Sequence, residues 1–100
     1  MYRVMRTGTL KNAAVLPTAM KWGAEITAYC NKTYSVNWQF GVEPWGQAKM
    51  HWHLDFDSYE KIRDWTVKLM KDREYGAMVQ KANDFFIEGS LTDTLINFAF

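Results

Sequence analysis

Apolar and polar residues alternate one for one through AKMHWHLDF. Ala48, Met50, Trp52, Leu54 and Phe56 form one set, and Lys49, His51, His53 and Asp55 the other. A period of two is the pattern of a strand with one face buried. The opening MYRVMRTGTL alternates likewise, with Tyr2, Val4 and Arg6 set against Arg3, Met5 and Thr7, and runs out at Gly8 and Lys11-Asn12; it predicts a first strand. From about Ala13 the period changes to three and four, through Val15, Leu16, Ala19, Trp22, Gly23, Ile26 and Cys30, which predicts an amphipathic helix ending at Asn31-Lys32. Pro17 stands near its first turn, where a missing N–H costs least.

Alternation returns in YSVNWQFGV, with Val36, Trp38, Phe40 and Val42 on one face, and predicts a second strand. EPWGQ then reads as a hairpin turn into AKMHWHLDF as the third. Asp57 followed by Glu60 marks a helix start, and Ile62, Trp65, Leu69 and Met70 carry the helix onward. Asp72-Arg73-Glu74 interrupts it, and a second helical piece bears Tyr75, Met78, Ala82 and Phe85. After Glu88-Gly89-Ser90, LTDTLINFAF predicts a last strand with Thr92, Thr94, Ile96, Phe98 and Phe100 on one side.

The order β-α-β-β-α-β is the ferredoxin-like arrangement, an α+β fold in which a four-stranded antiparallel sheet carries its helices on one face. With no linker or low-complexity tract, residues 1–100 are expected to form a single domain. The other sheet face is left uncovered, and composition makes this matter. Five Trp, five Tyr, six Phe and six Met are more large apolar surface than 100 residues readily bury. A second copy of the chain is the simplest cover.

A net charge of +1 with scattered Lys and Arg argues against nucleic acid as a partner. No apolar run approaches a membrane span, and the N-terminus lacks a signal-peptide core, so the expectation is a cytoplasmic protein with no membrane partner. Cys30, the one cysteine, excludes an intrachain disulfide and reads as a small core residue.

HLDFDSYEKIRDW, with Phe56, Ser58 opening a helix and Trp65 seven residues later, resembles the strand-three to helix-two junction of the dimeric α+β barrel superfamily. Its relatives include antibiotic-biosynthesis monooxygenases, NIPSNAP-like proteins and haem-degrading monooxygenases. DREYGAMVQKANDFF resembles the short helical piece that follows in many of them. The resemblance implies a homodimer whose sheets close a barrel through their open faces, and a substrate cleft between each sheet and its own helices. The haem-degrading members pair a strand-one Asn and a Trp with an axial His. Trp65 matches the Trp, but the Asn position falls near Arg6, and the axial position, Tyr75 to Val79, holds no histidine. Haem degradation is therefore disfavoured.

Two constellations remain. Tyr2, Trp22, Trp38, Met50, Trp52, Tyr59, Ile62, Trp65 and Leu69 are the candidate walls of an apolar ligand pocket between sheet and helices; the alternative is an ordinary core of large residues. On the opposite face His51 and His53 stand together with Lys49, Asp55, Asn37, Gln39 and Arg3. Alternate histidines can point the same way, yet there is no third histidine and Lys49 would repel a cation, so no metal is expected and a hydrogen-bonded polar layer at the dimer is favoured. Acid–base work by His51 or His53 is the other reading. If this face is buried in the dimer, acid should weaken it.

The favoured function is a homodimeric protein binding a hydrophobic or amphipathic small molecule, an aromatic polyketide-like compound or a lipid-like carboxylate, with an Arg or His at its polar end. One alternative is a cofactor-independent monooxygenase in which Trp65, Arg3 or Arg6, Asn37 and Tyr59 orient an electron-rich aromatic substrate. The other is an interaction module without ligand.

Overall fold

A computed structural model describes residues 1–98. Strand β1 (Tyr2–Thr9) lies between β3 (Lys49–Phe56) and β4 (Thr92–Asn97), and β2 (Gln39–Glu43) flanks β3, giving the order β2-β3-β1-β4 with every pair antiparallel. Register fixes the two faces. Tyr2, Val4, Arg6 and Gly8 sit opposite Phe56, Leu54, Trp52 and Met50 beneath the helices, while Arg3, Met5 and Thr7 sit opposite Asp55, His53 and His51 on the open side. The fold is α+β and ferredoxin-like, as the element order predicts. Phe100 of the predicted last strand lies outside the described residues.

Helix α1 (Leu16–Tyr34) buries Ala19, Trp22, Gly23, Ile26 and Cys30, the stripe its spacing predicts. At Gly23 the helix approaches so closely that a Cβ would stand 2.5 Å from the Phe40 ring and 2.6 Å from the Met50 methyl group. The helix runs past Asn31-Lys32 and ends where Ser35 turns left-handed, at φ 52°. Strand β2 starts correspondingly late. The Asn31 side chain causes both shifts: its Oδ1 accepts from the Trp38 N–H (2.7 Å) and its Nδ2 donates to the Trp38 carbonyl (3.2 Å). Trp38 thus gives to the helix the backbone groups that a strand would give to its neighbour.

Helix α2 (Tyr59–Lys71) is capped by Ser58, whose Oγ accepts from the Lys61 N–H, rather than by Asp57, which pairs with the Lys61 ammonium at 3.3 Å. Asp72 ends α2 and caps α3 (Arg73–Gln80), accepting from the Tyr75 N–H at 2.9 Å. It also accepts from the hydroxyls of Tyr29, at 2.7 Å, and Tyr34, tying the α2–α3 joint to α1. These bonds, Tyr34's foremost, hold the Asp72 carboxyl below its ordinary value and push the Tyr29 phenol up to about 12. Helix α2 itself buries no residue completely. It therefore leaves a furrow between itself and the end of α1.

Candidate functional site

Between the sheet and the helices lies a partly open cavity of about 50 Å³, walled by Trp22 and Ile26 of α1, Trp38, Trp52 of β3, and Val79 of α3. Two of its tryptophans are pinned. Trp22 Nε1 donates to the Met78 carbonyl at 2.8 Å, and Trp52 Nε1 donates to the Thr27 hydroxyl at 3.0 Å, which itself donates to the Gly23 carbonyl. Their rings meet edge to face, 6.0 Å apart at 86°, and Phe40 stacks on Trp52 at 5.1 Å. Hydrogen bonds within the chain thus hold two of the wall residues.

The polar end of the cavity is Arg6. Its guanidinium binds Asp93 bidentately, Nε to Oδ1 at 2.7 Å and Nη2 to Oδ2 at 2.9 Å, and Nη1 donates to the Tyr75 hydroxyl oxygen at 3.3 Å. Arg6 holds the Asp93 carboxyl below its usual range. The ion pair is neutral overall, and the guanidinium keeps N–H groups beyond these three bonds. Such an end suits a neutral acceptor, a hydroxyl or carbonyl, better than a second carboxylate. Cys30 also borders the cavity, and burial pushes its thiol up to about 11, so it stays protonated at neutral pH.

Outside this cavity, between the α1–β2 connection, the end of β3 and α2, runs a groove of about 610 Å³. Leu54, Phe56 and Trp65 line it along with Asn37, His53 and Lys68. Trp65 is wedged between Trp38 and Phe56, 5.5 Å from each ring centre. Its Nε1 is buried and has no hydrogen-bond partner among the described residues. An unmet donor of this kind costs about 1–3 kcal/mol.

The open face is polar and largely self-satisfied. Arg3 binds Asp55 bidentately at 2.8 and 3.1 Å, and its guanidinium lies 5.6 Å from the centre of the Phe98 ring. His51 joins the Thr7 hydroxyl, 3.1 Å from Nδ1, to the Glu43 carboxylate at Nε2. Among the described residues no three His, Cys, Asp or Glu side chains gather as a metal would require, and no helix is long and apolar enough to cross a membrane.

Comparison of the whole chain with solved structures returns one architecture. A protein of Agrobacterium tumefaciens superposes with a TM-score of 0.78 at 17% identity, over 97% of this chain and 92% of that one. An uncharacterized NIPSNAP domain protein from Burkholderia xenovorans gives 0.77 at 16% identity, over 100% and 97%. A dimeric ferredoxin-like protein from an uncultured marine organism gives 0.72 at 12%, over 100% and 96%. These likenesses show a ferredoxin-like fold. No protein-family profile matches the chain, and no curated protein matches it significantly.

Within this ferredoxin-like fold the expected pocket residues separate into groups. Trp22, Trp38 and Trp52 line the cavity, Trp65 lines the groove, and Met50 is wholly buried in the core with Leu69 packed against that core. Ile62 is half-buried on α2, and Tyr2 meets Tyr59 ring to ring at 6.3 Å. The residues expected to orient an oxygenase substrate do not converge. Arg3 is on the open face, because its register partner is Asp55, while Asn37 and Trp65 are at the groove and Tyr59 is 58% exposed. Arg6 alone reaches the cavity, and its partners Tyr75 and Asp93 were not among the expected site residues. Among the described residues lining the cavity, Arg6, Cys30 and Tyr75 are the ionisable ones, and none is a carboxylate or imidazole that could take a phenolic proton. His51 and His53 lie on the open sheet face, where His51 Nε2 meets the Glu43 carboxylate.

Proposed function

We propose that this chain is a homodimeric small-molecule-binding protein, with the sheet–helix cavity as its site and the open sheet face as its self-association surface. The observation that carries the reading is the Arg6–Asp93–Tyr75 group beside a cavity walled mostly by apolar residues, three of them tryptophans. Pinned aromatic walls with one convergent polar group are the usual composition of a small-molecule site. The ligand class is a flat or elongated, largely apolar molecule ending in a neutral hydroxyl or carbonyl. About 50 Å³ is less than the ~150 Å³ of an apolar cavity that holds a benzene ring, so the ligand's deep end enters by parting the walls. Asp93 neutralises the guanidinium, which shifts preference away from the lipid-like carboxylates expected from sequence.

Self-association is supported by the polar but internally paired open face and by likeness to a ferredoxin-like protein described as dimeric. Calorimetric titration with 4-benzylphenol tests the ligand reading. One molecule per subunit is expected to bind. Val79→Phe, which fills the cavity from its half-buried α3 wall, should weaken binding at least about tenfold while the melting temperature stays near wild type. Equal binding to both proteins would remove the cavity from consideration.

A further inference from the structure

Trp38 borders the inner cavity on one side and meets Trp65 on the other, and Trp65 lines the outer groove. These two side chains therefore stand between a space of about 50 Å³ beneath the helices and a groove of about 610 Å³ beside α2. They are held very differently. Trp38 is fixed through its backbone by Asn31, whereas Trp65 stands on α2, which, like α3, buries no residue completely, and its indole N–H has no partner among the described residues. Trp22 and Trp52 each spend their indole N–H on a partner, while Trp65 Nε1 is buried among rings without one. A buried donor with no acceptor marks either an internal cost accepted for packing or a bond made in another state.

Resting on the cavity reading above, we propose that groove and cavity are two halves of one elongated site, that Trp65 is the movable partition between them, and that the ligand supplies a hydrogen-bond acceptor to Trp65 Nε1. The ligand is then a molecule of two apolar segments joined through a carbonyl or ether oxygen, with its hydroxyl end at Arg6 and Tyr75 and its outer segment on Leu54 and Phe56. On entry the Trp65 ring leaves its place between Trp38 and Phe56, and its N–H passes from an apolar surrounding to the acceptor. Binding is favoured because the closed state carries an unmet donor that the bound state does not.

A matched pair of probes tests this. 4-Hydroxybenzophenone and 4-benzylphenol differ in a carbonyl against a methylene between two rings, and both are titrated in buffer acid enough to keep the phenols neutral. The wild type should bind the ketone about tenfold more tightly, the ratio expected when a buried orphan donor is satisfied. In Trp65→Phe, which keeps an aromatic ring and removes the donor, the ratio should collapse to about one. In the ¹H–¹⁵N spectrum, the indole resonance that Trp65→Phe deletes should move with the ketone and stay with the methylene compound.

If both probes bind, Val79→Phe abolishes both, and the ratio is the same with Trp65 or Phe, the partition is refuted and the cavity reading stands. If Val79→Phe leaves both affinities unchanged, the cavity reading fails and takes the partition with it.

Discussion

Trp22→Ala is expected to destabilise the protein by about 3–5 kcal/mol, the range for removing a large ring from a packed core. Trp22 is 8% exposed and touches three other rings, Trp52 at 6.0 Å, Phe85 at 5.6 Å and Phe86 at 5.9 Å. It therefore joins α1 to β3 and to the segment after α3. Its indole also meets the Met78 carbonyl, which truncation leaves unpaired. For a domain of 100 residues, such a loss lowers the melting midpoint by roughly 15–30 °C. Circular dichroism melts check this. Trp22→Phe restores most of the ring packing and should recover more than half of the loss, because what it lacks is one hydrogen bond. Equal melting of the two variants would mean that the ring contacts contribute little.

The second large effect concerns the open face. Thr94 is exposed in the single chain and sits opposite Met5 on that face. Thr94→Arg should change the stability of an isolated subunit by no more than about 0.5 kcal/mol, as surface substitutions do. In a dimer closed through this face it puts an unpaired charge at the interface on each side, which costs about 3–5 kcal/mol. The dissociation constant should therefore rise more than about a hundredfold. Sedimentation equilibrium over a concentration series measures it. An unaltered dimer would place self-association on another surface, and a wild type monomeric throughout would remove it.

The faces of β3 were legible because strict alternation in Lys49–Phe56 leaves one choice of buried side, and the register to β1 carries that choice across. The α1–β2 boundary was not. Tyr34 to Trp38 continues the alternation, and it takes Asn31, a residue outside that run, to bind the Trp38 backbone and keep it off the sheet. At the start of helix two Asp57 and Ser58 can both cap; Ser58 does so, and the Lys61 side chain occupies Asp57.

The polar end of the cavity left a partial signal. Arg6 shares the parity of Tyr2 and Val4, so a charge was bound to fall on the apolar face and need a partner there. Which partner depends on the β1–β4 register, and that register sets Arg6 opposite Asp93. No local pattern supplies a pairing 87 residues apart. Tyr75 arrives from a helix whose placement depends on Asp72 and the two α1 tyrosines. Composition likewise overstated the pocket: of the five tryptophans, three wall the cavity, Trp65 stands at the groove, and Trp45 is 87% exposed in the hairpin turn.

A crystal structure of the protein with 4-benzylphenol decides whether the cavity is a binding site. One phenol ring is expected among Trp22, Trp38 and Trp52, its hydroxyl within hydrogen-bond distance of Arg6 or Tyr75, and Asp93 still paired with the guanidinium. A cavity left as it is, with the compound bound elsewhere or not at all, would contradict this expectation.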